Sequence, residues 1–439
     1  MTPEESGGFS AAGGGICLVF IFLVPFAAAG LSLINTGLHR SRSAAHSIVA
    51  SLSVASVALL AYFTCGFAWG GLDDGPAHVI NAGGKAWNWI GAAPFFLHGF
   101  AFDDSRASLI VLFQMLSAVL AAMIPLGSGA ERWRLGAGCA STALLAGWTY
   151  PLFAHWVWSG GWLAQLGSNF GLGRGFLDPG GASCIQAVGG LTALSIAWIL
   201  GARRGKFSPE GMPTAMPGHN AVIVLFGCML ALVGWMGLNS AGSILFAGLK
   251  SGQSVLVAVN TILCAASGGL TSLIVTRLRF GKPDASLIAN GWVAGLAASS
   301  AACAFIKPAE AVLIGLVAGG AVVFSIEIVE LRMRVDDPGG AISVHAVGGL
   351  WGVLAAGIFG RVVSEGTLSD SGQFLAQLVG VATLVGFVLP MTYGLNWLLN
   401  RFLPQRVASE GERQGMDLFE LGAGAYPDFM THREDLLRH

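Results

Sequence analysis

Hydrophobic and polar positions alternate along this chain on the scale of a bilayer rather than of a strand or a surface helix. Apolar runs lie near 14–36, 46–69, 108–128, 135–158, 182–201, 220–238, 254–276, 286–305, 310–331, 342–360 and 375–399. Each is long enough to cross about 30 Å of hydrocarbon as a helix. Short polar connections separate most of them, with a longer second connection at 70–106 and a polar segment at 400–439. The first run has no basic stretch ahead of it and is too long for a signal peptide, so it reads as a span. The pattern predicts an all-α membrane protein of eleven spans. Residues 1–399 form the transmembrane domain and 400–439 a tail.

The odd number of spans puts the termini on opposite sides, and basic residues set the direction. Arg40, Arg42, Arg132, Arg134, Arg203, Arg204, Lys206, Arg277, Arg279, Lys282, Arg332 and Arg334 fall in alternate connections; Lys85, Arg106, Arg174, Lys250, Lys307 and Arg361 fall in the others. The richer set belongs inside, which gives an outer N-terminus and a cytoplasmic tail, in a plasma or inner membrane.

Composition agrees. Charged residues are 11% of the chain and mean hydropathy is +0.69, where a soluble domain carries about 25% charged residues. A net charge of −1 offers no basic surplus for nucleic acid. The 64 glycines sit largely inside apolar runs, as expected of helices that pack by close backbone approach. All seven cysteines also lie in apolar segments with no C-x-x-C, so neither a metal site nor a disulfide framework is indicated. A nucleophile elbow, a phosphate loop after a strand and a ligand-spaced cluster are all missing from the sequence, which argues against an enzyme or a cofactor.

One repeat carries the candidate chemistry. Residues 178–191 read DPGGASCIQAVGGL and residues 337–350 read DPGGAISVHAVGGL, ten of fourteen positions being identical at an offset of 159. Asp-Pro-Gly-Gly before an apolar run is a helix start, with Asp able to cap. Asp178 follows an outer connection and Asp337 an inner one, so the two helices begin on opposite sides. This describes two inverted five-helix repeats, about 14–201 and 220–360, plus a final helix. Transporters built this way bind substrate near the midplane between the halves. The repeat aligns Gln186 with His345, each about eight residues or roughly 12 Å into its helix. A polar side chain at that depth calls for a partner or a water-filled path. We expect the two to meet and line a pore.

The segments FQMLSAVLAAMIPLGSGAERWRL, YPLFAHWVW, LDPGGASCIQAVGGL, GWMGLNSAGSILFAG, VDDPGGAISVHAVGGLWG and GMDLFELGAGAY follow in this order along the chain. Together they resemble the ammonium transporter (Amt/Mep/Rh) superfamily from the first span to the tail. The resemblance implies a homotrimer with one conduction path per subunit. It implies an outer vestibule for ammonium formed by Trp158 and by Ser243, or Gly242 because this segment carries one extra residue. Asp178 matches the acidic residue opening the fifth span, as a cap that also stabilises a nearby cation.

Three positions depart from the family pattern. The family closes its path with two stacked phenylalanines; here Phe113 begins the outer stretch, but the positions of the pair hold Ser117 and Leu238. The family's two pore histidines are here Gln186 and His345. An imidazole can accept a proton at one nitrogen while donating from the other, whereas an amide holds no extra proton near neutral pH. The expected function is ammonium or ammonia passage without the usual proton relay. The alternatives are a channel for another small polar neutral solute, such as a short amide or amine, and an ammonium receptor acting through its tail. In relatives the tail meets a PII-type signalling protein; the segment from Glu420 to Tyr426 lacks that pattern's histidine and second glutamate, while Asp417 and Tyr426 keep its general form. His155 is expected to pack near Trp158, and His219 to cap or hydrogen-bond at the start of the sixth span.

Overall fold

A computed structural model describes residues 11–360 and 370–426. Arg361 and the end of the tail lie outside the described residues. The bundle comprises α1 (Ala12–Leu38), α2 (Ser41–Gly70), α3 (Arg106–Gly129), α4 (135–158), α5 (Ala182–Leu200), α6 (Ala221–Phe246), α7 (Ser254–Phe280), α8 (Ala285–Ala302), α9 (Pro308–Arg332), α10 (Ile342–Phe359) and α11 (Gly372–Phe402). Nine of these are long and apolar enough to cross a membrane; α4 and α8 fall short by composition. Their polar residues are spent inside the protein. Thr142, Thr149 and His155 of α4, and Asn290, Ser299 and Ser300 of α8, are all buried.

Most boundaries fall near the ends of the apolar runs, with one clear difference. The apolar run stops near 238, but α6 continues to Phe246. Asn239, Ser240 and Ser243 interrupt the hydrophobic pattern without interrupting the helix, because all three face protein and are buried. Capping is local where it occurs: Asn220 Oδ1 accepts from Ile223 N at 3.0 Å, and Asp284 Oδ1 from Leu287 N at 2.9 Å.

α1 and α6, the first helices of the two repeats, pack most closely. A Cβ on Gly234 would lie 2.0 Å from the Ala27 nitrogen, and one on Gly30 would lie 2.6 Å from the Gly227 oxygen. Such backbone contact is the packing open to helices that gain nothing from apolar burial in lipid.

The long second connection holds a hairpin that the sequence reading missed. β1 (Ala77–Ala82) pairs antiparallel with β2 (Lys85–Gly91). Gly83 and Gly84 turn the chain with φ of +62° and +73°, the two left-handed residues a tight hairpin turn demands. His155 anchors it: Nδ1 bonds Gly70 O at 2.7 Å and Nε2 bonds Asn88 Oδ1 at 2.8 Å. That histidine's polar contacts therefore tie the end of α2 to the hairpin, one turn away from Trp158.

The opposite face carries the tail and a buried charge network. Arg203 grips Asp336 with two bonds of 2.8 and 3.0 Å and reaches Glu131 at 2.8 Å. Arg40 also pairs with Glu131. Burial pulls the Glu131 carboxyl up, but Arg203 and Arg40 outweigh it and hold the group below its ordinary range. This network joins the connections α1–α2, α3–α4, α5–α6 and α9–α10. The tail, including the short helix α12 (Ser409–Gln414), closes over it. Arg406 bonds the carbonyls of Leu200 and Ala202 at 2.7 and 2.8 Å, and Trp133 Nε1 donates to Gln405 Oε1 at 3.0 Å.

Candidate functional site

The two repeated segments build their helix starts alike. Asp178 Oδ1 accepts from Ala182 N at 2.6 Å, and Oδ2 accepts from Ser183 N at 2.7 Å and Cys184 N at 3.1 Å. Asp337 Oδ1 accepts from Ala341 N at 3.1 Å and Oδ2 from Ile342 N at 2.8 Å. A serine hydroxyl completes each carboxylate at 2.5 Å, Ser183 for Asp178 and Ser128 for Asp337. Asp178 lies on the hairpin face and Asp337 on the tail face, so the starts are related by inversion. Each helix opens with a π-helical turn, Ala182–Ala187 and Ile342–Val347, a local widening common at functional sites.

Past those turns α5 and α10 cross on glycine. A Cβ on Gly190 would lie 2.2 Å from Ala346 N, and one on Gly349 would lie 2.4 Å from Ala182 O. Gln186 and His345 each sit one turn before those glycines. His345 Nδ1 lies 2.7 Å from Gln186 Oε1. An amide oxygen can only accept, so Nδ1 carries the hydrogen and a neutral ring leaves Nε2 as an acceptor. Gln186 Nε2 is buried without a hydrogen-bond partner among the described residues. The amide thus keeps both its N–H donors unused among the described residues, an uncommon state for a buried group.

Toward the hairpin face lie the remaining predicted residues. Trp158 Nε1 donates to Asp178 O at 2.6 Å, which ties that tryptophan to the cap. Phe113 meets Trp158 edge-on at 5.6 Å. Trp158 is 4% exposed, so neither ring face is open to solvent. Ser117 and Ser243 are buried; the Ser117 hydroxyl lies near Tyr150 and that of Ser243 near Cys303, and neither makes a well-formed hydrogen bond among the described residues. Gly242 has no room for a side chain, with Pro179 O 2.0 Å from its ideal Cβ; the hydroxyl at this place belongs to Ser243. Leu238 is fully buried. Toward the tail face, a cavity of 300 Å³ reaches from Lys206 and Glu330 past Asp336 and Asp337 to Ser343. Ser343 stands two residues before His345, and its hydroxyl is buried without a hydrogen-bond partner among the described residues.

The sequence reading overlooked Phe246, which stacks on Trp158. It also overlooked the tail's contacts. Asp417 accepts from the backbone N–H of His46 at 2.7 Å and of Ala45 at 3.1 Å, and Glu420 accepts from Leu135 N at 3.0 Å and meets His46 Nε2 at 2.8 Å. Two tail carboxylates therefore sit at the starts of α2 and α4. The signal available was an acidic pair three residues apart, facing two helix starts that lack capping acids of their own. His219 bonds the His39 carbonyl at 2.8 Å and Tyr426 Oη at 3.0 Å.

The Ammonium Transporter Family profile matches residues 15–426. The chain belongs to that family. It is 35% identical to ammonium transporter Amt2 of Archaeoglobus fulgidus over 433 residues, covering 95% of this chain and 89% of that one. It is 30% identical to the ammonium transporter of Bacillus subtilis over 420 residues, covering 94% and 97%. Among solved structures, a sensor Amt protein superposes with a TM-score of 0.83 at 28% identity, over 93% of this chain and 97% of that one. Candida albicans Mep2 superposes at 0.76 with 25% identity, over 96% and 92%.

Proposed function

We propose that this member of the Ammonium Transporter Family moves ammonium nitrogen across a plasma membrane as neutral ammonia, without a sustained proton-coupled current. The observation that carries the reading is the 2.7 Å contact of His345 Nδ1 with Gln186 Oε1. A solute reaching this pair from the hairpin side passes the aromatic vestibule at Trp158, where a ring face attracts a desolvated cation by about 2 kcal/mol. Ammonium leaves its proton with water on that side. Ammonia then passes with the Gln186 amide as donor and His345 Nε2 as acceptor, and takes a proton from water in the cavity beside Asp337. Gln186 accepts no proton on the way. The charge therefore stays on the entry side.

In this reading the tail face is cytoplasmic, the assembly is a homotrimer, and the lipid bilayer is its medium. The test uses reconstituted protein. Methylammonium uptake with only transient currents on ammonium pulses supports the proposal, as does the appearance of sustained currents in Gln186→His. Sustained, saturable currents from the native protein would overturn it.

A sensing role is the second reading. It is favoured by the seating of Asp417 and Glu420 on the starts of α2 and α4, which couples the tail to the bundle, and by the likeness to the sensor Amt protein. Ligand-dependent change in the tail without flux is its signature. A PII-type partner at the tail would have to bind it in this seated form; co-purification with and without residues 404–439 tests that.

A further inference from the structure

We infer that Phe246 closes the vestibule on the hairpin face and sets the size of solute admitted there. The inference rests on the conduction reading for what is admitted, and on geometry alone for the closure. Phe246 stacks on Trp158 with centroids 4.8 Å apart and planes within 5°, and meets Phe113 edge-on at 5.5 Å. With the Phe113–Trp158 contact, the three rings touch pairwise. Phe113 and Trp158 are buried while Phe246 is partly exposed, so Phe246 is the ring standing between the surface and the tryptophan.

The two flanking helices place a hydroxyl one turn beneath an aromatic. α3 begins on the hairpin face, so Phe113 precedes Ser117 toward the interior. α6 ends there, so Phe246 lies beyond Ser243. Both hydroxyls are buried without a well-formed hydrogen bond among the described residues, Ser117 near Tyr150 and Ser243 near Cys303, beneath the aromatic layer. A hydroxyl so placed can hydrogen-bond an occupant that enters beneath the layer. The aromatic layer decides what reaches it.

Phe246 is the last residue of α6, a position where a helix frays unless it is held. Arg106 holds it from the neighbouring element. Its Nε and Nη2 donate to Leu245 O at 3.2 and 2.7 Å, and Nη1 bonds Asp73 Oδ2 at 2.9 Å. The ring is therefore kept over Trp158 by a clamp at the preceding carbonyl, and a cation can reach the indole face only when the phenyl group swings away. Ser117 and Leu238 supply no aromatic stack deeper in the path. The aromatic closure of this protein is built at its mouth.

The test is thiol accessibility, which needs no transport. Ser243→Cys, in the full-length protein in proteoliposomes, is exposed from the hairpin side to 2-aminoethyl methanethiosulfonate, a small cation, with the unsubstituted chain as the background for its native cysteines. The expected result is slow labelling that rises about tenfold when Phe246→Ala is added, as for a site protected by a lid. Phe246→Leu, which keeps part of the volume but loses the flat face, should lie between and guards against a folding defect in the alanine variant. Gel filtration shows that each variant is assembled. Labelling of Ser243→Cys at one rate with or without Phe246 overturns the inference. Uptake of methylammonium and ethylammonium is measured in parallel. Faster labelling with no uptake by any variant leaves the closure standing and removes the conduction reading. Uptake with unchanged labelling does the reverse.

Discussion

The backbone nitrogen of Ala346 occupies the space that a methyl group on Gly190 would need, 2.2 Å from the ideal Cβ position. Its inverse-repeat counterpart, Gly349, meets α5 in the same manner through Ala182 O and Ala187 N. Main chain fixes the crossing of α5 and α10, and main chain cannot yield as a flexible side chain can. Gly190→Ala should therefore force the helices apart and cost about 1–3 kcal/mol, the usual range for overpacking. Thermal melting of the detergent-solubilised protein checks this, with Gly386→Ala, which meets nothing within 4 Å, as the silent control.

The Gln186–His345 bond makes a second prediction. Gln186→Leu removes the acceptor and leaves the imidazole N–H buried with nothing to meet. The expected cost is about 1–3 kcal/mol, read as a lower melting temperature. Methylammonium uptake should fall as well, because the variant also loses the donor at this point of the path. An unchanged melting temperature and unchanged uptake would show that the bond matters to neither.

The buried network on the tail face is a matter of charge balance. Arg203 neutralises Asp336 and part of Glu131, and Asp336 with Arg203 also holds the connection before α10 in place. Arg203→Met removes the nearest cation of both carboxylates, leaving Asp336 only the longer Arg132 contact at 3.8 Å and Glu131 only Arg40. Breaking a buried pair from one side costs about 3–5 kcal/mol, so this variant should lose most of its assembled material in gel filtration. Removing charge from both sides together, as Arg203→Met with Asp336→Asn, should recover part of the loss.

Seating of the tail should depend on acid. Burial alone would raise the Glu420 carboxyl, but its bonds to His46 and Leu135 N, and the nearby Arg134, leave it below its ordinary value of 4.5. A carboxylate with a lowered value in the folded state contributes fully above its unfolded value, and its contribution disappears as pH falls through the lowered one. The tail should stay protected from limited proteolysis from neutral pH down to 4.5 and loosen below it. Glu420→Gln should abolish that dependence and weaken protection at neutral pH.

The spans were legible because lipid imposes one rule on every helix, a long apolar run, and because the repeat of Asp-Pro-Gly-Gly is written twice. Where a helix is surrounded by protein, the rule relaxes. Hence α4 and α8 carry buried polar residues, and α6 runs on through Asn239, Ser240 and Ser243 to a phenylalanine that the hydropathy pattern leaves outside. The hairpin was signalled by Gly83–Gly84 between strand-forming residues, a short-range cue lost inside a connection noted only for its length. Gln186 and His345 could be paired in advance because an inverted repeat relates their positions by symmetry. No such symmetry relates Phe246 to Trp158.

The sequence alone pointed to an all-α membrane protein, placed most helix starts within a few residues, and put one amide and one imidazole at equivalent depth. Only the tertiary structure decided that these two side chains touch, that Phe246 covers the indole of Trp158, and that Asp417 and Glu420 sit on the starts of α2 and α4. The reason is one of range. Hydropathy and capping act over a few residues along the chain, whereas these contacts join segments from 88 to 372 residues apart, and they are fixed by how the helices and the tail pack.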